Sequence, residues 1–157
     1  MNCVPEFEII TDGVFGAYLL WVAWQDYRTM QVVRYSHAAG LVAVLAMAIA
    51  NGQHIWANGG IYVAAVLLLA AVQFWMYRVK AYGLADAIVF FMCGVYWLVQ
   101  RGAADCLVGY MLLMALSVVL LWGAAYLKGN VLGATLKHPM PYIPSICCAF
   151  FLTKGVL

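Results

Sequence analysis

The chain has 157 residues, of which 68% are hydrophobic and only 9% charged, where soluble domains carry roughly 45–50% and 25%. A soluble fold of this length cannot hide that much apolar surface, whereas a bilayer accepts it. A net charge of +2, with the basic residues spread along the chain, excludes a nucleic-acid surface, and the length fits a single integral-membrane domain over residues 1–157.

The N-terminal run MNCVPEFEIITDG lacks the basic start of a signal peptide, so the first hydrophobic segment is expected to be retained. A spanning helix needs about 20 mostly apolar residues. Stretches of that kind fall at residues 13–33, 36–50, 59–77, 81–100, 104–127 and 140–157. The expected fold class is therefore all-α, a polytopic membrane protein with about six transmembrane helices. Asn51-Gly52 and Asn58-Gly59-Gly60 punctuate the second and third spans. Trp21, Trp24 and Trp75 fit the habit of aromatic residues at the membrane interface. Cys3, Cys93, Cys106, Cys147 and Cys148 form no Cys-x-x-Cys pair and read as small hydrophobes, with neither a metal nor a disulfide expected. His37, His54 and His138 have no metal-ligand spacing and suit loop or interface positions. No cofactor is expected.

Orientation follows from the lysines and arginines. Arg28, Arg34, Arg78, Lys80, Lys128 and Lys137 fall in the odd loops, against Arg101 and Lys154 on the other side. The positive-inside rule then makes the odd loops cytoplasmic and both termini external.

The six acids are Glu6, Glu8, Asp12, Asp26, Asp86 and Asp105. The first three crowd the outer end of span one. Asp105 opens span five, where an N-cap or helix-dipole role suffices. Only 13 uncharged residues separate Asp12 from Asp26, too few to cross the hydrocarbon. Span one must therefore carry one of its flanking acids inward, and the continuation WVAWQDYRTMQVV favours Asp26, with Arg28 snorkelling to the interface. Asp86 is the only acid in span four, which cannot reach spanning length without it. Both aspartates enter the membrane at shallow depth from the cytoplasmic side, and no other acid lies on that side. Intramembrane carboxylates are expensive and point to function. On spacing alone, Asp86 can instead cap a helix after Gly83, and Asp26 can pair with Arg28 or Arg34.

The stretch Lys80-Ala81-Tyr82-Gly83-Leu84-Ala85-Asp86-Ala87 resembles the Gly-x-Gly-Asp signature of type IV prepilin peptidases and of archaeal preflagellin peptidases, a signature shared with presenilin-type intramembrane proteases. Asp26-Tyr27-Arg28 is similar to that family's other catalytic aspartate with its following basic residue, and Pro139-Met140-Pro141-Tyr142-Ile143-Pro144 to the proline-rich entry of its last span. Three departures stand out. Ala85 occupies the place of the second glycine, Ile88 that of a frequent lysine, and the cytoplasmic insertion with paired Cys-x-x-Cys motifs is lacking. The resemblance implies a minimal, protease-only form without pilin N-methylation. It assigns catalysis to Asp26 and Asp86, with Gly83, Ala85, Arg28 and Lys80 in support. Its implied substrate is a prepilin or pseudopilin bearing a short basic leader before an apolar helix, cut at the cytoplasmic face of the bacterial inner membrane, where lipid is the other partner.

Such hydrolysis needs one carboxylate to take a proton from water and one carboxylic acid to protonate the scissile carbonyl, so two neighbouring aspartates share one proton. Asp86, close to a helix start, has the better case for the ionised form. Gly83 and Ala85 are small enough to let spans one and four approach. Arg28, Lys80 and Tyr82 serve either as substrate contacts or as interface anchors. Two rival functions use the same composition. A small proton- or cation-coupled transporter would also use paired intramembrane acids, and a non-catalytic assembly subunit would need none.

Overall fold

In the computed structural model, which describes residues 5–50, 55, 58–130 and 140–156, all regular structure is helical. The expectations that rest on Cys3, Asn51, Gly52, His54, Lys137, His138 and Pro139 fall outside those residues. Six main helices follow one another: α1 Pro5–Thr29, α2 Arg34–Ala50, α3 Gly59–Arg78, α4 Leu84–Arg101, α5 Ala103–Asn130 and α6 Ile143–Val156. Three of them, α3, α4 and α5, contain stretches long and apolar enough to cross a bilayer, and α2 and α6 are shorter apolar helices. The fold is a polytopic helical bundle of the membrane type.

Helix boundaries depart from the expected spans for local reasons. α1 begins at Pro5, so the helix carries both Asp12 and Asp26 rather than one of them. α4 begins at Leu84, not at residue 81. Before it, the chain leaves α3 through a left-handed Lys80 (φ 58°), whose amide donates to the Tyr77 carbonyl at 3.0 Å while Ala81 N–H donates to Met76 O at 3.0 Å. That is a Schellman end with lysine where glycine is usual. At the end of α1, Met30 is also left-handed (φ 54°), its amide donating to Asp26 O at 2.9 Å. Residues 140–142 are non-helical, and Pro144 sits in the first turn of α6, where its missing N–H costs nothing.

α4 is the hub. It packs against α2, α3, α5 and α6, and 56% of its apolar stretch is buried, against 11% for α3 and 28% for α5. Phe90, Cys93, Tyr96, Trp97 and Leu98 on α4 are fully enclosed, whereas large apolar side chains on α3 and α5 such as Leu67, Trp75, Val119 and Trp122 face outward, as a lipid-facing surface does. Close approach at the hub needs Gly94, where a Cβ would meet Leu69 of α3 at 3.0 Å and Tyr110 of α5 at 3.1 Å.

α1 lies against α2 and α6. It meets α4 chiefly through side chains at one end. There Phe15 stacks on Tyr96 with ring centroids 4.4 Å apart, Gln100 Nε2 donates to Asp12 at 2.6 Å, and Tyr96 OH donates to the same carboxylate. Lys154 of α6 closes the cluster by pairing with Asp12 and donating to Tyr96 OH at 2.8 Å. Spans one and four are thus joined at the end away from Asp26 and Asp86. α1 and α4 are not among the extensively packed helix pairs, so the close approach expected of spans one and four is limited.

Candidate functional site

The other end of the bundle carries Arg28, Arg34, Arg78 and Lys80. There the loop after α1 and the loop before α4 bound a cavity of about 450 Å³. Asp26 and Asp86, 60 positions apart in the chain, both line it, joined by Arg34, His37, Gly83 and Ile88. Met30, Gln31, Arg34, Gly83 and Leu84 on its wall are exposed, so the cavity opens at the surface of that end.

Each carboxylate is held by a helix N-terminal amide. Asp86 is the third residue of α4, and its Oδ2 accepts from the Gly83 amide at 2.9 Å, reaching back to the residue that caps its own helix. This is the acceptor half of a capping box. Asp26 is 8% exposed, and its Oδ2 accepts from the Ile143 amide at 3.0 Å, across 117 residues of chain. Ile143 opens α6, so Asp26 occupies the N-terminus of a helix it does not belong to. The dipole argument that singled out Asp86 for the ionised form therefore applies to Asp26 as well, and geometry does not separate the two.

Gly83 has an extended backbone (φ −75°, ψ 167°) that any residue adopts. Its smallness matters for another reason, because a Cβ there would lie 3.2 Å from Asp86 Oδ2. The glycine makes room for the carboxylate of its own helix rather than for the backbone of α1. Ala85 lies inside the first turn of α4, a helical position where alanine in place of glycine carries no backbone penalty. It too lines the cavity.

Arg28 and Lys80 stand apart from the site. The Arg28 guanidinium sits 4.9 Å from the centre of the Trp24 ring, an exposed cation–π contact. Lys80 is exposed on the loop and does not line the cavity. Among the described residues neither Arg28 nor Arg34 makes an ion pair with Asp26; the one salt bridge is Lys154 with Asp12. Asp86 does cap its helix, and it does so while facing the cavity.

Sequence reasoning passed over two features of the site. His37 faces the cavity from α2, with Tyr18 OH 3.3 Å from its Nδ1. Tyr18 reaches it only because position 40 is glycine, since a Cβ there would lie 2.5 Å from the Tyr18 ring. The i, i+3 spacing of His37 and Gly40 is visible in the sequence, but nothing marks Tyr18 as their partner. The second is Gln25, whose Oε1 accepts from Ser36 Oγ at 3.0 Å and Val33 N–H at 3.3 Å. It pins the short loop that forms one rim. Among the described residues no group of three His, Cys, Asp or Glu side chains is arranged to hold a metal ion.

The fold and the site together define a polytopic helical membrane protein with a paired-aspartate cavity at one end. Comparisons with protein-family models, with curated proteins and with solved structures find no match.

Proposed function

We propose that the chain is a membrane-embedded aspartyl endopeptidase that removes a short basic leader from prepilin-like substrates at the cytoplasmic face of a bacterial inner membrane. The observation that carries this reading is that Asp26 and Asp86 line one surface-opening cavity at the basic end of the bundle. The Gly83–Asp86 motif and the order of the two aspartates, in their resemblance to prepilin peptidases, supply the substrate class.

In this mechanism the ionised aspartate takes a proton from water as the water oxygen attacks the scissile carbonyl carbon. The protonated aspartate gives its proton to the carbonyl oxygen. Collapse of the tetrahedral gem-diol breaks the C–N bond: the proton taken from water passes to the leaving amine, and a gem-diol hydroxyl returns its proton to the other aspartate, which restores the singly protonated pair. Two carboxylates on one cavity can hold the single proton this requires. The amides of Gly83 and Ile143 keep each carboxylate oriented between turnovers. The cavity's opening at the bundle end suits a cleavage site in extended chain just before an apolar helix, since hydrolysis needs water and non-helical backbone is tolerated beside a water-lined cavity. Nothing in this scheme requires the methylase-associated insertion, and N-methylation is not part of the proposal.

Incubating the purified chain in lipid nanodiscs with a prepilin-like polypeptide, a short basic leader followed by an apolar helix, tests the reading by mass spectrometry. A loss matching the leader is expected; an intact substrate under conditions where the chain is folded would reject it. The rival reading, a proton- or cation-coupled transporter, also uses paired acids. Against it stands the position of the acids: Asp26 and Asp86 cluster at one end, and Asp12 towards the other end is tied to Lys154.

A further inference from the structure

α1 and α4, which carry Asp26 and Asp86, are not among the extensively packed helix pairs, so other contacts must help to fix the carboxylates' separation. The two segments that hold them are residues 82–83 just before α4 and residues 142–143 at the start of α6, because Gly83 N–H binds Asp86 and Ile143 N–H binds Asp26. The residue immediately before each of those amides is a tyrosine, and the two tyrosines meet. Tyr82 and Tyr142 have ring centroids 6.1 Å apart, and both pack on Phe90 of α4, at 5.3 Å and 5.7 Å.

Each tyrosine is also tethered at its hydroxyl. Ser117 Oγ donates to Met114 O at 2.8 Å, which leaves Tyr142 OH to donate to Ser117 Oγ, 3.2 Å away. Tyr82 OH donates to Gln73 Oε1, and Gln73 Nε2 donates to Tyr110 OH. Gln73 is 3% exposed, so its amide is committed to these partners. The Tyr142 carbonyl meanwhile accepts from Ser145 N–H at 2.9 Å and Ile146 N–H at 3.2 Å, which makes Tyr142 the cap of α6. Tethers to α3 and α5 hold the rings, the rings hold the two pre-helical segments, and the amides of those segments hold the carboxylates.

We propose that Tyr82, Phe90 and Tyr142 form an aromatic clasp that couples the two aspartates, with Tyr82 and Tyr142 acting as positioning residues rather than catalytic ones. The coupling is a property of the fold; only its effect on turnover rests on the peptidase reading. Rings that merely fill space would stabilise their own neighbourhoods. A clasp transmits, so loosening one tyrosine must disturb the amide beside the other.

Hydrogen exchange resolved to single amides, on the full chain in nanodiscs, separates these cases. Tyr82→Leu should speed exchange at Ile143 by about tenfold or more, and Tyr142→Leu should do the same at Gly83. Tyr142→Phe keeps the ring and should leave Gly83 close to wild type. Should either leucine variant fail to fold, Phe90→Leu, placed between the two rings, reads both amides at once. Acceleration confined to the amide next to each substitution overturns the clasp. In the cleavage assay, Tyr142→Leu should lower kcat by about tenfold while leaving KM within about twofold, and Tyr142→Phe should restore kcat. A wild-type chain that does not cleave the polypeptide counts against the peptidase, and the exchange data still decide the clasp.

Discussion

Gly40 and Lys80 show how differently single positions at the basic end are constrained. Gly40 is required by contact: any side chain there collides with the Tyr18 ring. Gly40→Ala should destabilise the protein by about 1–3 kcal/mol and free His37 from Tyr18, seen as a lower thermal midpoint in detergent; an unchanged midpoint would mean that α1 and α2 separate there without cost. Lys80 is constrained by conformation alone. A lysine held left-handed costs roughly 1 kcal/mol that glycine would not incur. Lys80→Gly should therefore be neutral to stabilising, and cleavage should continue, because Lys80 is outside the cavity. A large loss of activity would return Lys80 to the supporting role that the family resemblance implies.

At the scale of helices, the bundle is tied differently at its two ends. Asp12 of α1, Tyr96 and Gln100 of α4 and Lys154 of α6 form one polar knot, with the Asp12 and Lys154 side chains 26% and 28% exposed. Removing one partner leaves the other charge poorly solvated. Asp12→Ala should cost about 1–3 kcal/mol, while adding Lys154→Met should recover part of the loss. Additive losses, measured by thermal unfolding, would show that the two residues do not act as a pair. The two shortest helices need accommodation of another kind. α2, with 17 residues, and α6, with 14, extend only about 26 Å and 21 Å at 1.5 Å per residue, short of a hydrocarbon core of about 30 Å. A helix this short crosses a bilayer only with local thinning or with help from flanking chain. At the basic end, residues 140–142 supply such chain beside the cavity.

Across the whole molecule, what could be read from the sequence follows the physics that sequence encodes locally. Hydropathy and glycine punctuation marked six helical segments, because length and apolarity are properties of a segment. The Asp86 environment was also legible: an aspartate three residues after Gly83 is an N-terminal capping pattern on its face. Asp26 was legible as a costly intramembrane charge and by its resemblance to a catalytic aspartate, but its surroundings were not. Its hydrogen-bond partner, the Ile143 amide, lies 117 residues away, and no local rule connects them. The same holds for Asp12 with Lys154, for Tyr18 with His37, and for α2 and α6 rather than α4 flanking α1. Boundaries slipped where a residue broke type, as at the left-handed Lys80, which ends one helix and delays the next. The positive-inside rule, applied to the lysine and arginine distribution, predicts that the basic end faces the cytoplasm. A single cysteine introduced at Ala81, in a chain otherwise free of cysteine, should resist an impermeant thiol reagent applied to intact cells, and ready labelling would invert the bundle.

A kinetic double-mutant cycle separates one shared Asp26–Asp86 site from two carboxylates that act independently. Residues that act together are non-additive, because losing either partner already removes what the pair does. Cleavage of the leader-bearing polypeptide should fall by about 10³-fold or more in Asp26→Asn and in Asp86→Asn, with folding intact, and the double variant should be no worse than either single one. Activity within about tenfold of wild type in either single variant, or losses that multiply in the double, would contradict a shared site.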